Sequence, residues 1–178
     1  MLPGWMWLEC FGADPSQLSL ALALRVSVSS TEHEGKRMNT PYFGGCLCGA
    51  VRFAVKNVPQ RTWTCHCTQC QKMTGSAFSV AFTVPSEGFE ILSGEMRPVP
   101  LQADSGRART NWVCAACGAW ITSGSDPRLV AEKPSRMVLG GTLDDPSWLT
   151  PTAHYWISKK QHWIALPAGD AVHETQDY

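Results

Sequence analysis

The sequence has little of what marks a membrane protein, a secreted protein or a strongly basic nucleic-acid binder. It has no excess of charge: 15 basic residues balance 15 acidic ones in 178 residues, so bulk charge suggests neither a nucleic-acid nor an anionic-membrane partner. It has no long hydrophobic run. The most apolar stretch, LSLALALRV, is about half the length that a bilayer requires. The opening MLPGWMWLEC carries Glu9 and no basic region, which argues against a signal peptide. No internal repeat and no low-complexity tract is present. No stretch sustains a 3.6-residue apolar period over three turns, which argues against a helical bundle. Hydrophobic residues at 44% and charged residues at 17% are ordinary for a globular chain, and the length suits one domain with a sizeable core.

Segment patterning divides the chain into three parts. In residues 1–37, Leu18, Leu20, Leu22, Leu24, Val26 and Val28 alternate at strand period but are written mostly in helix-preferring residues. The polar SVSSTEHEGKR follows, and Met38 makes a natural start. This extension is expected to be dispensable and mostly disordered. From 38 to 167 short strands alternate with turns: AVRFAV (50–55), AFSVAFTV (77–84), FEIL (89–92), RTNWV (109–113), AWITS (119–123), RMVLGGTL (136–143) and AHYWIS (153–158). One short helix is expected over Thr68 to Thr74. The reading is a mainly antiparallel, all-β domain with one or two short helices, followed by a C-terminal tail over 168–178.

Cysteine is the residue the sequence has in quantity. Seven of eight fall in three tight groups: Cys46 and Cys48, then Cys65, Cys67 and Cys70, then Cys114 and Cys117. Thiols two or three residues apart converge on one point more easily than they find separate distant partners, so metal ligation is preferred to disulfides. Reduced thiolates in turn imply the cytoplasm. GGCLCG and CAACG pair thiols beside glycine, whose freedom lets the backbone turn so that amides point at sulfur. Together they supply the four thiolates of a structural zinc site, with Zn–S near ~2.3 Å. That leaves CHCTQC with three thiols. Cys10, in the N-terminal extension, is expected to be free. Three protein ligands plus one exchangeable position is the pattern of a catalytic zinc. A redox C-x-x-C reading of Cys67 and Cys70 lacks the βαβ context and leaves Cys65 unexplained.

Around the trio, His66 alternates away from its flanking cysteines and is expected to hydrogen-bond behind the site rather than to ligate. Lys72, Gly75 and Ser76 are weak candidates for an anion-accepting turn, the alternative being a simple turn into the next strand. His154 is either an acid–base group or a packed strand histidine. Trp112, Trp120, Trp156 and Trp163 are expected to fill the core, with Trp120 also a possible pocket wall. Arg97, Arg107 and Arg109, like Lys159 and Lys160, read as solvated surface.

The segments GGCLCGAVRF, CHCTQCQKMTGSAF, CAACGAWI and PTAHYWISKKQHWIAL resemble, in order, the pattern of the glutathione-dependent formaldehyde-activating enzyme family, which also includes centromere protein V. The resemblance spans roughly Tyr42 to Leu166. It implies a complex β fold of the β-tent type and two zinc ions, the second more labile. Carried over position by position, Cys46, Cys48, Cys114 and Cys117 are the structural site, and Cys65, Cys67 and Cys70 the open one. The implied activity is a carbon–sulfur lyase or ligase reaction joining glutathione to formaldehyde as S-(hydroxymethyl)glutathione. The alternative is a zinc-stabilised binding module without turnover, for a thiol, a protein or nucleic acid. Three thiolates make zinc a weak Lewis acid, so thiol binding is expected ahead of carbonyl activation.

Overall fold

The computed structural model describes residues 40–104, 106–124 and 135–176. The expectations for residues 1–37 and for Cys10 lie outside them. Eleven strands and one α-helix are described: β1 (Tyr42–Gly45), β2 (Arg52–Val55), β3 (Arg61–Cys65), α1 (Thr68–Thr74), β4 (Ser79–Pro85), β5 (Phe89–Ser93), β6 (Met96–Gln102), β7 (Ala108–Cys114), β8 (Trp120–Ser123), β9 (Ser135–Leu139), β10 (Ala153–Tyr155) and β11 (Ala171–His173). The all-β reading holds.

The strands form two sheets. A three-stranded sheet runs β1-β2-β5, and an eight-stranded sheet runs β11-β10-β3-β4-β9-β8-β7-β6. All pairings are antiparallel except two: β10 runs parallel to both β3 and β11. The tail expected over 168–178 therefore contributes an edge strand. The opposite edge, β6 (MRPVPLQ), holds Pro98 and Pro100. Proline cannot donate to a ladder, which made this run unreadable as a strand, yet at a sheet edge one side needs no donor.

Two expected strands stop early. RMVLGGTL is extended only to Leu139, and Gly140–Thr142 forms a 3-10 turn. A Cβ on Gly140 would sit 2.3 Å from Leu149 Cδ2, so a larger residue there requires the leucine side chain to shift. AHYWIS is extended only to Tyr155, and Trp156 takes φ 59° before a second 3-10 turn. A left-handed tryptophan is uncommon, and no local sequence signal announces it.

Side-chain alternation sends the two faces of the large sheet to different cores. Phe82, Val84, Trp112, Ile121 and Val138 meet Phe53, Val55 and Phe89 of the small sheet in the main core. Val113, Trp120 and Leu139 point the other way, into a second cluster with Cys65, Cys67 and Cys70. The three-thiol group thus lies across the large sheet from the main core.

Candidate metal centres

Cys46, Cys48, Cys114 and Cys117 come together with all sulfurs within 4.8 Å of one another. Cys46 and Cys48 Sγ are 3.4 Å apart, and Cys48 and Cys114 Sγ 3.9 Å. A zinc tetrahedron with Zn–S bonds near ~2.3 Å has S···S edges of about 3.8 Å, so the foursome fits that ion. Its two halves are built alike. Each thiol pair ends in a left-handed glycine, Gly49 (φ 77°) and Gly118 (φ 76°). Each of these glycines returns its N–H to the carbonyl of the first cysteine of its pair, at 3.0 Å in both cases. The turns aim amides at sulfur: Val51 N–H donates to Cys46 at 3.2 Å and Cys117 N–H to Cys114 at 3.5 Å. Amide bonds from Ala119 and Cys48 hold the Cys117 thiol down to about 6. At Cys48 the Ala50 amide pulls the same way, but the neighbouring sulfurs of Cys46 and Cys117 outweigh it and push the thiol up to about 11. Ionising all four sulfurs at one point calls for a cation.

The second group is Cys65, Cys67 and Cys70, also within 4.8 Å of one another. Cys65 closes β3, and Cys67 caps the N-terminus of α1, accepting the Cys70 N–H at 3.4 Å. All three are buried. The Cys65 thiol is pushed up by the sulfurs of Cys67 and Cys70. Cys70 is drawn down to about 3 by the thiols of Cys65 and Cys67, against burial, with Ser79 and the Arg109 cation adding to the effect. The donor set fits zinc as three of four ligands. No further His, Cys, Asp or Glu joins this group among the described residues.

Two clefts open on the trio. One, about 150 Å³, is lined by Cys65, Cys67, Gln69, Arg107, Arg109 and Trp156 among others. The other, about 320 Å³, touches Cys65, Cys70, Trp63, Ser79, Arg109 and Met137. Arg109, read from the sequence as surface, instead lies between them. Its guanidinium stands 5.5 Å over the Trp120 ring, and its buried Nε and Nη2 have no hydrogen-bond partner. Trp120 packs the second core and lines a separate groove beside Cys117, not the clefts at the trio. A strand period alone does not distinguish an inward from an outward arginine, so no local sequence signal places it here.

The other expected residues are placed as follows. His66 is fully buried and packs at a tilt against Phe78, with ring centroids 5.2 Å apart. Its Nε2 is 3.1 Å from Thr64 Oγ1, which also contacts His154 Nδ1 at 2.6 Å, while His154 Nε2 meets Asp170 at 2.9 Å. Both histidines thus form a buried chain behind the Cys65–Cys67 segment rather than facing the clefts. Burial, followed by the charges of His154 and Lys160, lowers the His66 pKa. Lys72 is exposed. Gly75 is the left-handed C-cap of α1 (φ 64°), its N–H committed to Gln71 O, and the Ser76 N–H goes to Thr74 Oγ1. This is the carbonyl end of a helix, where a cation is favoured over an anion. Ser76 lines a separate groove beside Cys117 and Phe78, and neither Lys72 nor Gly75 lines the clefts at the trio.

A family model described as "Glutathione-dependent formaldehyde-activating enzyme" matches residues 41–159, well over half of the chain. Among solved structures, a Rhodobacter sphaeroides protein is similar to this chain at 18% identity and a TM-score of 0.43, covering 74% of this chain and 98% of its own.

Proposed function

Since this chain belongs to the glutathione-dependent formaldehyde-activating enzyme family, we propose that it is a zinc-dependent carbon–sulfur lyase or ligase whose reaction centre is the Cys65, Cys67 and Cys70 group. Its substrate is a small thiol, glutathione in the first instance, and formaldehyde is the electrophile. Cys46, Cys48, Cys114 and Cys117 serve as the structural site. The observation that carries this reading is the contrast between the groups: four sulfurs in one, and three beside two clefts in the other.

When bound, zinc at the trio supplies a position where a thiol loses its proton and is held as a nucleophile or leaving group. The protein's residues do the rest. Cys65 and Cys67 present sulfur from a strand end and a helix cap, held by the ladders of β3 with β4 and β10. Gln71 donates to His66 O at 2.6 Å and to Lys159 O at 3.0 Å, fixing the loop between the two cysteines. Trp63 and Met137 line the larger cleft with apolar surface that limits water. No helix among the described residues is long and apolar enough to cross a membrane.

The test is calorimetric titration of the zinc-loaded and zinc-free protein with glutathione, paired with NMR detection of S-(hydroxymethyl)glutathione exchange. Glutathione is expected to bind only the loaded protein, and exchange to run faster with protein than without. Binding without accelerated exchange would leave a thiol carrier. Equal binding to both forms would remove the trio from the function.

A further inference from the structure

The trio carries one more group that family membership does not explain. Three thiolates around a divalent ion leave one net negative charge, and an incoming thiolate makes it two. Such a site holds a further anion more weakly than a neutral one would, and a cation beside it offsets the repulsion. Arg109 is that cation. It lines both clefts that reach Cys65. Its stem runs from β7, and its guanidinium is fixed over Trp120 at 5.5 Å. Of its donors, Nε and Nη2 are buried without an acceptor. A buried charged donor left unpaired is destabilising, and the arrangement makes sense if an anion arrives to fill it. Two adjacent N–H groups of a guanidinium present a fixed fork suited to such a visitor. Arg61, the other arginine of the larger cleft, is already engaged with the Tyr155 hydroxyl.

We propose that Arg109 receives the thiolate sulfur of the substrate, so that any small thiol, with or without a carboxylate, depends on this residue for its place at the trio. The inference rests on the thiol-binding reading above. In the binding step the substrate S–H bond breaks, the electron pair stays on sulfur, and the proton leaves to water. Arg109 acts on the anion that remains. The competing assignment, an anchor for a substrate carboxylate, uses the same guanidinium but predicts a different dependence.

The experiment uses the full chain loaded with cobalt(II) and two probes: 2-mercaptoethanol, which has no carboxylate, and 3-mercaptopropionate, which has one. Thiol entry is read from the sulfur-to-cobalt charge-transfer band and from calorimetry. Arg109→Gln and Arg109→Met both keep an apolar stem over Trp120, so a folding failure of one leaves the other, and cobalt content and circular dichroism check each. The expected result is a loss of affinity of about tenfold or more for both thiols alike. Arg109→Lys is expected to recover part of it. Unchanged affinity for 2-mercaptoethanol in the neutral variants overturns the proposal, whether or not 3-mercaptopropionate binding falls. If neither thiol perturbs the cobalt band of the unmutated protein, the thiol-binding reading itself fails, a result distinct from a failure confined to Arg109.

Discussion

At the scale of single residues, the cysteines divide by what else each one does. Cys114 is fully buried in the main core and ends β7, so losing its sulfur opens both a metal cluster and a packed interior. Cys67 caps a helix, a position that serine fills as well. Cys114→Ser is therefore expected to unfold or aggregate, seen as a collapsed thermal transition. Cys67→Ser is expected to keep its circular dichroism while losing one metal equivalent and thiol binding. Comparable unfolding by both would show that the two groups do not divide structural and functional work. Proton competition follows from the same sulfurs. With no ion, the Cys65 thiol is raised and stays protonated at neutral pH, whereas Cys70 is already ionised. Metal binding to the trio must displace the Cys65 proton, so its affinity falls as pH falls. An acid titration followed with a chromophoric chelator is expected to release the trio's ion before that of the foursome. Packing sets a third residue-scale limit. A Cβ on Gly44 would lie 2.3 Å from Phe53 Cζ and 2.5 Å from Thr142 O, neither free to retreat from the core. Gly44→Ala should cost about 1–3 kcal/mol in a denaturant titration.

At the scale of elements, β7 joins the two centres. Its alternating faces send Trp112 and Cys114 to the main core and Arg109, Asn111 and Val113 to the other side. One seven-residue strand thus supplies a sulfur of the foursome and a cation beside the trio. At the far end of the sheet, β11 holds β10 in parallel, and Asp170 just before it reaches His154 and, through Thr64, the strand that ends in Cys65. For a carboxylate at Asp170 and a neutral imidazole at His154, the direction of this chain is fixed. His154 Nε2–H donates to Asp170, the Thr64 hydroxyl donates to His154 Nδ1, and His66 Nε2–H donates to Thr64. A chain ending at Pro167 loses both the strand and the carboxylate. It is expected to fold but to release the trio's metal several-fold faster to a chelator, with the foursome unaffected. Equal release rates would make β11 a passive edge.

At the scale of the whole molecule, the foursome is a staple between sheets. Cys46 and Cys48 sit in the turn from β1 to β2 of the small sheet, and Cys114 and Cys117 at the turn from β7 to β8 of the large one. The main core lies between these sheets, so an ion held by the foursome would oppose the same separation as the core. Removing the trio's metal should leave this packing intact. Stepwise chelation is thus expected to be biphasic: a first equivalent leaves without change in the thermal midpoint, and a second leaves with a large drop. The stabilisation should fall below the ~10–16 kcal/mol seen for zinc-finger peptides, because the apo-protein retains an apolar core. A single phase, with structure lost at the first equivalent, would contradict the separation of roles.

The sequence by itself determined which sulfurs gather and in what groups, because a spacing of two or three residues is a local property that survives any topology. It also determined the helix over Thr68–Thr74 and the all-β class, since turn residues and branched runs act over a few positions. Tertiary structure alone decided the surroundings of the sulfurs. Whether Arg109 points to solvent or stands buried over Trp120 depends on which sheet face β7 gives to which core. Residues 171–173 become a strand because β10 lies alongside to receive them. Lys72, Gly75 and Ser76 follow the trio directly in sequence but lie towards the carbonyl end of α1, away from its clefts, because one short helix carries the chain out of the site. Chain proximity sets ligand spacing, while charge and shape around a ligand are set by strands that are distant in sequence and adjacent in the sheet.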